Sequence, residues 1–466
     1  MSGDRLIQTT ESLCPICLRV LPADIIKRGD EVLLCRQCPE HGLFEEAIWR
    51  GRPDFEAWRR PKRPAADVKT QLAADRGCPY DCGLCPEHGQ HPCTILFEIT
   101  QQCNLGCPIC FANSGGGGQE CPPLPLLLEQ MRWFHGQTGG EVVLQLSGGE
   151  PTLHPDLPAL VAEGAKLFPA VQLNTNGLKL AEDPALPRQL AQAGLSWVFL
   201  QFDGVSDRTF EIIRGRPLLK KKMAAIAACA EAGLSVVLVP TVAAGVNDGE
   251  LGDLVRLAVN LAPTVRGVHI QPMTSAGRNS LPGSGHRLTL PEVLERLAEQ
   301  TQGLVNIDQA FPPSCEHERC SFHLRYRRTE DGELIPTAAG GSCCCKTGTE
   351  PSRPEETAEA RKRSVDIILK SWQGEKPAAK SAAPPPGLGI PMAARPAPPA
   401  LDAFDEFLAK ARRETFSITC MAFQDVWTVD LERLRGCCVH IFRPPDRFIP
   451  FCACNLTSAD GRPLYR

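Results

Sequence analysis

Long hydrophobic runs are missing from this chain, and with them any stretch long enough to span a bilayer as a helix. The opening residues, MSGDRLIQTTESLCPIC, show no basic cluster followed by an apolar core, so they do not read as an export signal. The expected compartment is the cytoplasm. An excess of one charge is lacking too: 50 Lys and Arg stand against 54 Asp and Glu, a formal net charge of −4. That balance excludes a general polyanion binder, and no nucleic-acid partner is expected. Cysteine, by contrast, is abundant, with 23 among 466 residues, nearly all in clusters. Clustered cysteines without an export signal read as metal ligands or redox thiols rather than a disulfide framework. The length allows a large core with accessory modules.

The chain is organised around Thr94 to Ala112, TILFEITQQCNLGCPICFA. Ile95, Phe97 and Ile99 alternate with Leu96, Glu98 and Thr100, the pattern of a strand. Cys103, Cys107 and Cys110 follow at C-x3-C-x2-C spacing. Three thiolates on one short loop can hold three irons of a cubane cluster, which usually takes four cysteines. One iron is then open. By spacing alone, a zinc site or a cluster with a distant fourth cysteine stays possible. With the strand before it and the motifs after it, the stretch resembles the radical SAM superfamily. The resemblance implies that the open iron of a [4Fe-4S] cluster binds S-adenosylmethionine (SAM) and that an electron cleaves it to a 5′-deoxyadenosyl radical. It also places Ile109 near the adenine.

Residues 94–310 alternate strand and helix patterns in six β units, which predicts an α/β fold with parallel strands and right-handed crossovers. The match is to the partial (β/α)6 barrel of radical SAM enzymes, where function gathers at the carboxyl ends of the strands. By resemblance, Gly148, Gly149, Glu150 and Pro151 form the GGEP motif beside the methionyl ammonium. Asn174 and Asn176 end the third strand near the polar groups of SAM, Asp203 ends the fourth, and Gln271 ends the sixth. Arg214 is expected to reach the SAM carboxylate with its planar fork.

Cysteine-rich segments flank this core. Residues 1–60 carry Cys14, Cys17, Cys35 and Cys38 as two C-x2-C pairs around a hairpin that turns at Arg28-Gly29-Asp30. They predict a tetrathiolate module, zinc ribbon or rubredoxin-like, with zinc or mononuclear iron. His41 is read as a turn residue. Residues 61–93 carry Cys78, Cys82, Cys85 and Cys93, read as an auxiliary [4Fe-4S] cluster or a second zinc site, with His88 and His91 as loop residues. Residues 311–348 carry Cys315, Cys320 and the run Cys343, Cys344, Cys345. Residues 349–402 read as a linker rich in Pro and Ala, with a short helix at SVDIILKSWQG. Residues 403–466 read as a C-terminal cysteine-rich module whose hairpin brings Cys437 or Cys438 near Cys452. Together with Cys315 and Cys320 these would close a second auxiliary cluster.

Within the superfamily the layout resembles the tetraether lipid synthases and the (seleno)proteins named TrsS. The resemblance rests on CPIC…CRQC, CPYDCGLCPEHGQHPC, EITQQCNLGCPICF, HIQPMTSAGR and the closing cysteine-rich stretch. The run at Cys343 to Cys345 and the linker depart from the lipid synthases. The resemblance implies hydrogen abstraction from a substrate the sequence does not identify, lipid or peptide, possible carbon–carbon bond formation, and a reductant such as ferredoxin or flavodoxin. A peptide-modifying maturase and a non-catalytic iron–sulfur scaffold are the competing expectations.

Overall fold

Gly29 and Asp30 form the two-residue turn anticipated between the second and third strands. The structure, a computed structural model, describes residues 3–60, 65, 68, 73–115, 121–279, 286–313, 315–337, 354–374, 410–411 and 413–466. The run Cys343 to Cys345 lies outside the described residues. The first unit is a four-stranded antiparallel sheet in chain order: β1 (Arg5–Leu13), β2 (Val20–Arg28), β3 (Glu31–Cys38) and β4 (Gly42–Arg50). Period-2 alternation puts Ala23, Ile25, Val32 and Leu34 on one buried face, which packs with Trp49, Phe55 and Trp58 into the main core.

The main sheet begins with β5 (Thr94–Thr100). The cysteine loop contains the short β6 (Ile109–Cys110). There follow α1 (Leu124–Thr138), β7 (Val143–Gly148), α2 (Leu157–Leu167), β8 (Ala170–Thr175), α3 (Leu178–Glu182) and α4 (Ala185–Ala193). Next come β9 (Trp197–Gln201), α5 (Asp207–Arg214), α6 (Leu219–Glu231), β10 (Val236–Val239), β11 (Thr241–Val242) and α7 (Leu251–Asn260). β12 (Val265–Pro272), β13 (Arg278–Asn279) and α8 (Leu290–Gln300) complete the anticipated core. Strands β12, β10, β9, β8, β7 and β5 are neighbours in that order and all parallel. Their runs, such as Trp197 to Leu200, are buried throughout because helices cover the outside and side chains fill the inside.

The later segments extend this sheet rather than standing apart from it. β14 (Ser321–Arg328), β15 (Leu334–Pro336) and α9 (Pro354–Trp372) precede β16 (Thr415–Met421), β17 (Val439–Arg443) and β18 (Arg447–Pro450). β16 lies parallel beside β12, and β17 lies parallel beside β5. Gly267 permits the first contact, since a Cβ there would collide with the Ser417 carbonyl. β14 and β18 continue antiparallel beyond them. The residues expected as a C-terminal module thus supply strands to both flanks of the barrel.

The expected linker is corrected at its start. The helical pattern of its first third runs from Pro354, and α9 packs Val365, Ile368, Leu369 and Trp372 on Val143, Ala170, Trp197, Phe199 and Val237. Several of these sit at the amino-terminal ends of the strands, so α9 closes the barrel from below. The Pro- and Ala-rich tract after residue 374 lies outside the described residues.

Phe134 on α1 ties the C-terminal hairpin to the core. Its ring lies 4.9 Å from Phe97, 4.8 Å from Phe442 and 6.3 Å from Phe448, and it is fully buried. Phe134→Ala should lower stability by about 3–5 kcal/mol, because the cavity cannot collapse between a helix and three strands. Anaerobic urea denaturation of the full chain checks this; a loss under about 1 kcal/mol would mean that the C-terminal hairpin does not depend on α1.

Candidate active site

β5 delivers the chain to the cysteine loop at the carboxyl edge of the sheet. The loop has little secondary structure of its own; only Ile109 and Cys110 pair, with Asn279 and Arg278. It is held from outside. Arg278 Nε donates to the Cys107 carbonyl (2.8 Å) and its Nη2 to that of Ser114 (2.9 Å). Arg214 Nη1 donates to the Ile109 carbonyl (3.4 Å), and Asn176 Nδ2 to Asn104 Oδ1 (2.8 Å). Cys103, Cys107 and Cys110 line one cavity of about 300 Å³ at the barrel mouth. Burial pushes the Cys103 thiol up to about 11, so this sulfur needs a cationic partner to ionise at neutral pH. Three such sulfurs facing an open cavity fit three irons of a cubane with one position free.

The Gly148–Glu150 edge crosses directly behind this loop. Gly149 N–H donates to the Thr100 carbonyl (2.8 Å), and Glu150 N–H to that of Gln102 (2.7 Å). A Cβ on Gly148 or Gly149 would collide with the Thr100 or Gln102 carbonyl, which is why both positions are glycine. Pro151 opens a short 3-10 turn behind them.

Glu150 ties two strand ends together. Its buried carboxylate accepts from Thr152 N–H (3.1 Å), Thr152 Oγ1 (2.5 Å), Thr175 Oγ1 (2.6 Å) and Asn176 N–H (2.7 Å). It clamps the end of β7 to the end of β8 and also borders the cavity.

Asp203 and Arg214 pair with each other. Asp203 is fully buried and takes both Arg214 Nε (2.7 Å) and Nη2 (2.6 Å) in a bidentate pair, and Arg214 also donates to Thr241 Oγ1 (2.9 Å). The pair supports the loop from the barrel side; Arg214 borders the cavity, and Asp203 stands behind it. Ile109, Asn174, Asn176 and Gln271 line the cavity.

Two residues escaped the sequence reading. Arg278 sits in the quoted HIQPMTSAGR stretch, but nothing local in that stretch says it grips the cysteine loop. Lys222 sits in KKKMAAIAACA among lysines that read as an exposed helix face. It is fully buried, with Nζ donating to the Asn176 carbonyl (2.6 Å) and to Gln201 Oε1 (3.2 Å). Burial lowers its pKa to about 7.

The remaining cysteines gather in sets that differ from the expected ones. Cys14, Cys17, Cys38 and His41 have donor atoms all within 4.8 Å of one another. Separations of 3.9 Å (Cys17 to Cys38 Sγ), 3.5 Å (Cys14 Sγ to His41 Nδ1) and 3.4 Å (Cys38 Sγ to His41 Nδ1) suit a tetrahedral ion, whose ligand atoms lie roughly 3.8 Å apart. Cys35 is not in the set and His41 is. Cys35 and Cys38 both lie on β3, and residues three apart on a strand face opposite ways, so Cys35 turns to Glu45 instead.

Cys78, Cys82 and Cys85 remain neighbours, but Cys93 leaves them: its Sγ lies 3.0 Å from Cys438 Sγ, with Cys315 alongside. Cys93 precedes β5 and Cys438 precedes β17, and these parallel partners bring the two sulfurs together. Cys320, Cys437 and Cys452 form another set, where Arg433 Nη2 donates to Cys320 Sγ (3.2 Å). Cys315 and Cys320 therefore belong to different groups.

Cys35→Ser should leave one zinc or iron per chain at the N-terminal site, and His41→Ala should lose it, as read by metal analysis of the full chain; the reverse pattern would restore the tetrathiolate. Lys222→Met tests the buried amine. Between about pH 7 and 10 the unfolded chain holds a proton on Lys222 that the folded chain has released, so wild-type stability should rise relative to the variant as pH rises through that window. Denaturation midpoints at pH 7 and 9 check this; a difference independent of pH would show that the lysine stays charged.

Residues 97–258 match the Radical SAM superfamily, and residues 6–50 match the HMPTM N-terminal zinc ribbon domain. The chain is 32% identical to 7,8-dihydro-6-hydroxymethylpterin dimethyltransferase of Methanocaldococcus jannaschii, covering 96% of this chain and 93% of that one. It is 28% identical to a probable GTP 3',8-cyclase of Aeropyrum pernix, over 60% of this chain and 80% of that one. Among solved structures, SuiB of Streptococcus suis with bound S-adenosylmethionine aligns at a TM-score of 0.38 and 15% identity, over 46% of this chain and 47% of that one. The chain belongs to the radical SAM superfamily of enzymes, in the same family as the archaeal dimethyltransferase.

Proposed function

We propose that this enzyme abstracts hydrogen from a small polar heterocycle of the pterin class, as the step that opens carbon–carbon bond formation. The observation that carries the reading is the wall beneath the cysteine loop, where Gln145, Gln172, Asn174, Gln201 and His269 line the cavity. These side chains are largely paired with one another, with Trp197 and with Lys222, and the polar edges they leave toward the cavity can be matched by a heterocycle with ring nitrogens and carbonyls but not by a hydrocarbon chain. The near full-length likeness to a relative named for a hydroxymethylpterin supports the same class. The resemblance to tetraether lipid synthases implies a lipid substrate, and the amide-bearing wall argues against an acyl chain.

When bound, the [4Fe-4S] cluster and SAM supply one-electron cleavage of the sulfonium to methionine and a 5′-deoxyadenosyl radical, with the electron from a reductant such as ferredoxin or flavodoxin. Cys103, Cys107 and Cys110 hold the cluster. Ile109 would border the adenine of a bound SAM, and the Gly148–Gly149 edge, kept in register by Glu150, would receive its methionyl end. α9 excludes water from below, with Trp372 among the lining residues. Besides the N-terminal ion site, the three remaining cysteine groups offer places for one or two auxiliary clusters, and Cys315 and Cys93 belong to the group that borders the cavity.

Anaerobic incubation of reconstituted protein with SAM and dithionite tests the reading. Added 7,8-dihydro-6-hydroxymethylpterin should raise 5′-deoxyadenosine severalfold, while a diacylglycerol lipid and a mixed peptide library should not. Stimulation by lipid or peptide alone would overturn the substrate class, and absence of any deoxyadenosine would leave only the scaffold.

A further inference from the structure

Four polar side chains inside the barrel form a chain of hydrogen bonds whose direction is fixed at one end. Trp197 is fully buried and its indole Nε1 can only donate; it donates to Gln172 Oε1 (2.9 Å). Gln172 must therefore turn its Nε2 the other way, where it donates to Asn174 Oδ1 (2.7 Å). Gln145 Nε2 donates to the same oxygen (2.9 Å). Each amide orientation follows from the one before, so no carboxamide in the chain is free to turn over.

The consequence is a defined pattern on the cavity side. With its oxygen taken twice, Asn174 leaves its Nδ2 as a donor. With its nitrogen spent on Asn174, Gln145 leaves its Oε1 as an acceptor. Among the described residues neither atom has a hydrogen-bond partner, and both residues line the cavity. Gln145 stands opposite Gln172 on the parallel neighbours β7 and β8, and its bond to Asn174, two residues further along β8, brings donor and acceptor to the same part of the wall.

We propose that Asn174 Nδ2 and Gln145 Oε1 form a reading edge for the lactam of the substrate, with Asn174 donating to its carbonyl and Gln145 accepting from its ring N–H. This deepens the reading given under Proposed function and rests on it. Gln172 and Trp197 do not touch the ligand; they are positioning residues that hold the two reading groups in one orientation. A lactam made unable to donate, or one whose carbonyl meets an acceptor, leaves a buried polar group unpaired and binds less well.

Anaerobic fluorescence titration of the SAM-loaded holoenzyme tests this with pterin and 3-methylpterin, which lacks the ring N–H. The wild-type chain should bind pterin at least about tenfold more tightly than 3-methylpterin. Asn174→Asp keeps the oxygen that Gln172 and Gln145 use and replaces only the cavity-facing donor, so it should weaken pterin about tenfold. Trp197→Phe frees Gln172 to turn over and should narrow the gap between the two probes. Equal binding of both probes by the wild type, or no pterin binding, overturns the edge, and this comparison decides even if a variant does not fold. An edge that discriminates while pterin fails to raise deoxyadenosine would stand without the proposed reaction. Stimulation without discrimination would overturn the edge alone.

Discussion

A loop with almost no secondary structure has to hold three sulfurs at fixed spacing, and it does so because guanidinium groups grip its backbone carbonyls. Arg278 reaches across from the residues after β12 to Cys107 and Ser114, and Arg214 reaches up from α5 to Ile109. Both are donor-only and charged, so each bond to a carbonyl is stronger than a neutral one. Arg214 in turn is fixed by buried Asp203, and the loop's other wall is the glycine edge that Glu150 holds against β8. The barrel's parallel strands matter to function mainly because they bring these anchors to one end of the sheet.

The same sheet accounts for the placement of the other thiols. β17 enters beside β5 in parallel, so the residues that precede each strand meet at the opposite, amino-terminal edge, and Cys93 faces Cys438. β14 and β16 bring Cys320 toward the short helix Leu431–Arg435 and its Arg433. Metal-binding sets in this chain are thus products of strand pairing between distant segments, and local spacing governs only the cysteine loop and the first residues of the outer sites.

That distinction explains what the sequence disclosed. The parallel core was legible because each strand and each helix carries its own period, and six such units in succession leave few topologies. The cavity-lining set was legible because its residues fall at strand ends in a fixed order. Other features were hidden for physical reasons. CRQC looks like a knuckle, yet Cys35 lies within an extended strand and faces away from Cys38, while the tight turn after β3 brings in His41. Lys222 looks exposed because its neighbours are lysines; only the packing of α6 against the barrel buries it. The pairing of β16 and β17 with the core leaves no local mark beyond Gly267, whose missing side chain has meaning only once its neighbour is known.

The central claim is that the sulfurs of Cys103, Cys107 and Cys110 leave one iron of a cubane open to SAM. Electron paramagnetic resonance of the dithionite-reduced holoenzyme, before and after SAM addition, tests it most directly. The account predicts a distinct shift in the cluster signal on addition that is absent when the three cysteines are replaced by alanine and the other clusters are retained. A signal unchanged by SAM in the wild-type protein would contradict it.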